Sequence, residues 1–217
     1  MHTRRAFLAA GLATAAGAAF TGCAAQPAPV AEATASGTAP LVMVIRHAEK
    51  PTGKGAPHGV TPEGEQDDES LTVRGWTRAG ALVDLFAAAS GTVRAGLVTP
   101  ATVVAASPDG ASRRPFQTVS PLAARLGLAV DTSHRKGDEA AVGAALQKAT
   151  DATLVAWEHE AIPSIVAAMG TVTPAPPATW PDDRFDLVWC FARNGTAGWG
   201  FSQVTQQLLD GDGVRPA

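Results

Sequence analysis

The chain has 217 residues, 46% of them hydrophobic and 17% charged, with a formal net charge of −3. That length supports one domain with a sizeable core, and the composition excludes disorder for the bulk of the chain. A mildly acidic chain carries no electrostatic footprint for nucleic acid, so that class of partner is set aside.

The first segment reads as a targeting signal, to be removed before any fold reasoning. "TRRAFLAAGLATAAGAAFTGC" pairs Arg4 and Arg5 with an apolar run from Ala6 to Phe20 that is rich in Ala and Gly. A permanent span needs about 20 apolar residues, and this run is shorter. The Thr-Arg-Arg-x-Phe-Leu order resembles a twin-arginine export signal over residues 1–22, and "FTGC" at 20–23 resembles a lipobox with Phe20 in place of the usual Leu. Cys23 is therefore expected to be the lipidated mature N-terminus, the alternative being a cleaved signal with no lipid. On this reading the protein is exported, and it meets the membrane only through the anchor. Loss of residues 1–22 takes the net charge to −5 and leaves Cys190 as the only cysteine besides Cys23. An acylated Cys23 leaves no disulfide, so stability must come from the core.

Residues 23–40 hold Cys23 followed by an Ala/Pro-rich stretch with a single charge, a spacer rather than a core segment. The globular domain is expected over 41–217. "LVMVI" at 41–45 is a buried strand that runs directly into Arg46, His47, Glu49 and Lys50. Residues 52–70 mix Gly, Pro and acids without period and read as a long loop. Ala79, Leu82, Val83 and Phe86 then fall on one helical face. "TVVAAS" at 102–107 is a strand. Val119, Leu122, Ala123 and Leu126 give a second helical stripe that Pro121 is expected to kink or restart. "ATLVAW" at 152–157 is a third buried strand, followed by a stripe of Ile162, Ile165, Val166 and Met169. "FDLVWCFA" and "GWGFSQV" read as two late strands joined by an Asn-Gly turn at 194 and 195. Cys190 and the tryptophans 157, 189 and 199 lie in strand-like runs and are expected in the core.

Strands with unbroken apolar runs, alternating with helices, imply an α/β three-layer sandwich. Its mostly parallel central sheet has helices on both faces, and ligands collect at the strands' carboxyl ends. Three such ends carry chemistry: "VIRHAEK", "AASPDGASRRPFQT" and "VAWEHEAIP". Arginine forks beside inward-pointing helix N-termini suit a phosphate or sulfate group. A histidine among them is a donor or a nucleophile toward phosphorus. His58 and His134 lie in polar stretches and are expected to be ordinary exposed residues, and Glu49 with Lys50 to form a surface pair.

In order, "RHAEKP", "LTVRGWTRA", "SPDGASRRPFQT" and "WEHEAIP" resemble the motif series of the histidine phosphatase superfamily, also called phosphoglycerate mutase-like, over residues 41 to about 170. The resemblance implies that fold, no metal and no cofactor. It places the nucleophile at His47 and its arginine partner at Arg46. The family's second arginine precedes a Gln-Thr pair by three residues, which selects Arg114 over Arg113. The second histidine falls on His159. Arg46, Arg114 and His159 would hold the phosphoryl oxygens while His47 attacks in line. The proton donor falls on Glu160, directly after the second histidine as in one branch, with Asp138 or Glu139 as candidates from another and Glu158 as a further one. The residue before the second histidine, usually Gly, is Glu158 here. The expected function is hydrolysis of small phosphomonoesters through a phosphohistidine. The alternatives are a lipoprotein that binds an anionic ligand without turnover and, lower, a phosphomutase. Specificity is expected in the loops 52–70 and 171–184. Neither the pattern nor the motifs specify the substrate's carbon skeleton or an oligomeric state.

Overall fold

The computed structural model describes residues 41–110, 112–196 and 198–215. Their elements run in the order β1 (Leu41–Arg46), α1 (Val73–Phe86), β2 (Thr102–Ala105), α2 (Arg114–Leu126), β3 (Val130–Asp131) and α3 (Glu139–Leu146). Then follow β4 (Thr153–Trp157), α4 (Ile162–Ala168), β5 (Val172–Thr173), β6 (Leu187–Arg193) and β7 (Trp199–Thr205). The strands form one sheet in the order β3-β2-β4-β1-β6-β7-β5. β1, β4, β2 and β3 are mutually parallel, while β6 is antiparallel to β1 and to β7.

The apolar run of β1 explains its central place. Val42 to Ile45 are all fully buried, and successive side chains leave the strand on opposite faces. Met43 and Ile45 join Leu82 and Phe86 of α1 and Val119 and Leu122 of α2 in one core. Val42 and Val44 join Val142 and Leu146 of α3 and Ile162 and Ile165 of α4 in the other. Two helices on each face make the three-layer α/β sandwich that the pattern predicts. Cys190 packs in the α1/α2 core, and burial pushes its thiol up to about 12, so it is an inert apolar residue.

The departures have local causes. α2 runs continuously through Pro121 instead of restarting there. Proline removes one amide from the helix ladder, and the Ser120 hydroxyl bonds back to the Phe116 carbonyl at 2.7 Å in the same turn. The β6–β7 connection spans residues 194–198, closed by the Asn194 amide on the Gly198 carbonyl at 2.9 Å, rather than a two-residue Asn-Gly turn. α3, "EAAVGAAL", has no apolar stripe to announce it, only Val142 and Leu146 in the core. Its place depends on Gly143, where a Cβ would lie 2.4 Å from the Ile165 carbonyl oxygen of α4. The strands β3 and β5, two residues each, also escape periodicity arguments.

Parallel pairing aligns the strand tips. Arg46 of β1 stands opposite Trp157 of β4, and Ala105 of β2 opposite Ala156. The His47 amide extends the ladder onto the Trp157 carbonyl at 3.0 Å. The three motif-bearing segments therefore leave the sheet at one edge and at one level.

Candidate active site

His47 is the first residue beyond β1 and is 2% exposed. Its Nδ1 lies 2.7 Å from the Ala48 carbonyl oxygen. A carbonyl can only accept, so Nδ1 carries the proton and Nε2 keeps its lone pair. Burial lowers the imidazole's pKa to about 3, with the nearby positive charges of Arg46, Arg114 and Lys50 acting in the same direction. The ring is neutral, in one tautomer, under cationic surroundings.

The loop after His47 is held from three sides. The Ala48 amide donates to the Thr118 hydroxyl at 2.8 Å, and that hydroxyl donates to the Arg114 carbonyl at 2.8 Å. One side chain thus ties the His47 loop to the first turn of α2. The Glu49 carbonyl accepts the amide of Thr72, the N-cap of α1, at 3.0 Å. Gly75 lets α1 approach this closely, since a Cβ there would lie 2.5 Å from the same Glu49 oxygen. The Glu49 carboxylate turns away from the cleft to Arg74 and to the buried Arg78, so it does not form the expected pair with Lys50.

Beyond β2, the chain delivers Arg114 at the start of α2, where Pro115 fits the first turn. Arg114 donates to the Asp68 carbonyl at 2.9 Å and lies 3.4 Å from Glu69. Arg113 points elsewhere, to Asp67 at 2.6 Å, and is half-exposed. Of the two, Arg114 lines the cleft and Arg113 does not. Beyond β4 come Glu158, His159 and Glu160. His159 is nearly buried, and its Nε2 lies 3.1 Å from an Asp182 carboxylate oxygen. Burial, and next the Arg46 charge, hold its pKa below the ordinary histidine value.

One cleft of about 210 Å³ is lined by His47, Arg114, Glu158, His159 and Glu160, with Lys50, Glu69, Ser112 and Lys136 around them. Arg46 adjoins it but does not line it. Its guanidinium stacks over the Phe185 ring at 3.8 Å and donates to the Asp182 carbonyl at 2.5 Å. Burial lowers its pKa to about 10, which leaves it cationic at neutral pH. Three buried polar atoms at or beside the cleft have no hydrogen-bond partner: Arg46 Nε, Arg114 Nε and Glu158 Oε2. Leaving a buried donor unpaired costs about 1–3 kcal/mol. Two guanidinium donors left this way beside one histidine suit an anion. Among the described residues, no group of three or more His, Cys, Asp or Glu side chains is arranged to hold a metal ion.

Of the other donor candidates, Glu158 lines the cleft while Asp138 and Glu139 lie elsewhere. Asp138 lines a separate groove with Ser107 and His134. Glu139 accepts from the Trp157 indole and the Gly137 amide, both at 3.0 Å. His58 does not line the cleft. Sequence reasoning missed Ser112, Lys136, Asp182 and Phe185. Asp182 and Phe185 come from a loop with no motif, and only their closeness to the strand tips in space identifies them. Cys23 and the leader lie outside the described residues.

No protein-family model matches the chain, nor does any curated protein. Solved structures of similar overall course include phosphohistidine phosphatase SixA, as it is designated, from Agrobacterium tumefaciens. It shares 14% identity at a TM-score of 0.45, over 76% of this chain and 97% of that one. A mycobacterial glucosyl-3-phosphoglycerate phosphatase matches at 15% identity and a TM-score of 0.43, over 77% of this chain and 98% of the other. Phosphoserine phosphatase from Entamoeba histolytica matches at 12% identity and 0.48, over 78% and 99%.

Proposed function

We propose that the protein is a phosphoric monoester hydrolase of the histidine phosphatase type, acting through a phosphohistidine on His47. The observation that carries this reading is the state of His47: neutral, fixed in the Nδ1–H tautomer by the Ala48 carbonyl, and lining a cleft with Arg114 and His159. A residue that merely bound an anion would serve better as a cation. A nucleophile needs the lone pair. In the first step Nε2 forms a bond to phosphorus as the bond to the leaving oxygen breaks, and that oxygen takes a proton. In the second, water attacks phosphorus, the nitrogen–phosphorus bond breaks, and the electron pair returns to Nε2. Fixed cations stabilise charge on the transferring group, the main lever in phosphoryl transfer. Arg114 and Arg46 have guanidinium Nε donors without protein acceptors for this work. His159, whose Nε2 now faces Asp182, would add a third donor on leaving that carboxylate.

The test is phosphate release from p-nitrophenyl phosphate and a panel of phosphorylated metabolites by the purified protein. Turnover supports the hydrolase. Saturable phosphate binding with no turnover of any ester would favour the alternative of a non-catalytic anion-binding lipoprotein, and phosphoryl exchange between two positions of one substrate a mutase.

Export and anchoring through Cys23 belong to the same proposal. Mass spectrometry of the natively produced protein is expected to show Cys23 as an acylated N-terminus. An unmodified N-terminus elsewhere would remove the anchor and leave the enzymatic reading intact.

A further inference from the structure

The hydrolase reading requires a proton for the leaving oxygen, and the resemblance places its source at Glu160. Three carboxyls line the cleft. Glu69 is spoken for by Arg114 and is half-exposed. Glu160 is exposed to solvent. Glu158 is different: it is 8% exposed, and its Oε2 is buried without a hydrogen-bond partner. Its position at the tip of β4 puts it one residue from His159, on the cleft that His47 lines.

Glu158 takes the place where the resembled family usually has glycine, so its carboxyl is an addition to the motif and not an inherited part of it. An ionised carboxylate there would be poorly solvated and would repel a phosphate held by Arg114. A carboxylic acid has neither defect, and its O–H fills the role of a donor. The charged groups around it do not reverse this. Burial holds the acid's pKa above the ordinary glutamate value and Glu139 acts in the same direction, outweighing the residue's own backbone amide, Lys136 and Arg114, which favour ionisation. His47 is neutral, and Lys50, Glu69, His159 and Glu160 complete the titratable lining.

We infer that Glu158, rather than Glu160, is the general acid that protonates the leaving oxygen. The inference rests on the hydrolase reading above. As the His47 Nε2–phosphorus bond forms and the phosphorus–oxygen bond breaks, the Glu158 proton passes to the departing alkoxide and leaves a carboxylate. That carboxylate then takes a proton from the water that attacks the phosphohistidine. Cleavage of the nitrogen–phosphorus bond restores neutral His47 and protonated Glu158, with inorganic phosphate as product.

The test uses the full chain, two variants and two substrates that differ in their need for a proton. Glu158→Gln cannot donate one. It is expected to lower kcat/KM for an alkyl phosphate by about 10²–10⁴, while p-nitrophenyl phosphate, whose phenolate leaves unaided, falls by less than about tenfold. Glu160→Gln is expected to change both substrates by the same factor. Wild-type turnover of the alkyl phosphate should decline at high pH as Glu158 ionises, and Glu158→Gln should abolish that decline. Equal losses on the two substrates for Glu158→Gln, or a selective loss for Glu160→Gln, would overturn the assignment and leave the phosphohistidine mechanism standing. A wild-type protein that turns over neither ester would overturn both. Carboxyl NMR of the resting protein gives a readout independent of turnover. Glu158 is expected to titrate above the usual glutamate range, and an ordinary titration would also sink the assignment.

Discussion

His47→Ala is expected to reduce phosphoester turnover to background, a loss of roughly 10⁴-fold or more. No phosphoenzyme can form without Nε2, and the flanking residues offer no substitute. Arg46 is cationic and stacked on Phe185, while His159 is engaged with Asp182. Rapid quench with labelled substrate should trap an acid-labile, base-stable phosphoramidate in the wild type and none in the variant. The pH dependence follows from the depressed imidazole. Protonation would destroy the nucleophile, and in the free protein that happens at about 3 instead of the ordinary 6.5. kcat/KM should therefore show no acid limb from His47 near neutrality. Stability carries the opposite signature. The unfolded imidazole binds a proton below its ordinary value while the folded one stays neutral until about 3. This contribution is full above the unfolded pKa and is lost as pH falls between the two. His47→Ala should then lose less stability between pH 6.5 and 4 than the wild type. An acid limb in kcat/KM assigned to His47 near pH 6.5, or residual phosphoenzyme in the variant, would remove it as a neutral nucleophile.

The legible part of this molecule was whatever repeats at short range. Val42 to Ile45 are apolar without interruption, so burial on both faces and a parallel neighbour in β4 follow from one run, although β6 on the other side is antiparallel. The stripe of Ala79, Leu82 and Phe86 fixed α1 in the same way. Arg114 could be separated from Arg113 only by motif spacing, yet the physical reason is visible in the fold: the first residue of α2 faces the cleft while its neighbour reaches Asp67. Illegible residues are those whose meaning is purely spatial. Phe185 matters because Arg46 lies over it, and Asp182 because His159 reaches it, across 139 and 23 positions of chain. α3 was hidden because Ala and Gly carry no periodic signal, although its close approach to α4 depends on those small residues. Glu158 read as an anomaly in sequence. Its burial is what sets it apart, and burial cannot be read from a charged residue type.

Arg78→Met is expected to cost about 3–5 kcal/mol of stability, the range for breaking a buried ion network by removing one partner. Arg78 lies on the inner face of α1, its side chain 3% exposed. Its guanidinium donates to Glu49 at 2.8 Å, to both Asp212 oxygens at 2.7 and 3.0 Å, and to Gln206 Oε1 at 3.0 Å. Methionine fills much of the volume, so the cost comes chiefly from Asp212, left in a poorly solvated site, since Glu49 keeps Arg74. Burial alone would raise the pKa of Asp212. The Arg78 bond and the amides of Leu208 and Leu209 outweigh it and hold the group at about 2. Above the unfolded aspartate pKa this depression stabilises the fold, and the contribution is lost as pH falls toward 2. In Arg78→Met the main opposing partner is gone, so mild acid should relieve the strain by protonating Asp212. The stability gap between wild type and variant is thus expected to be widest near neutral pH and to narrow as pH falls from 5 to 3. Arg78→Lys keeps one charge but lacks the planar fork, and it should fall between the two. The consequence reaches His47 because Glu49 is two residues away, on the loop that sets the Ala48 carbonyl and hence the imidazole tautomer. Urea denaturation at several pH values measures the gap. A loss under about 1 kcal/mol, or a gap that does not change with pH, would mean that water solvates these carboxylates when the arginine is gone.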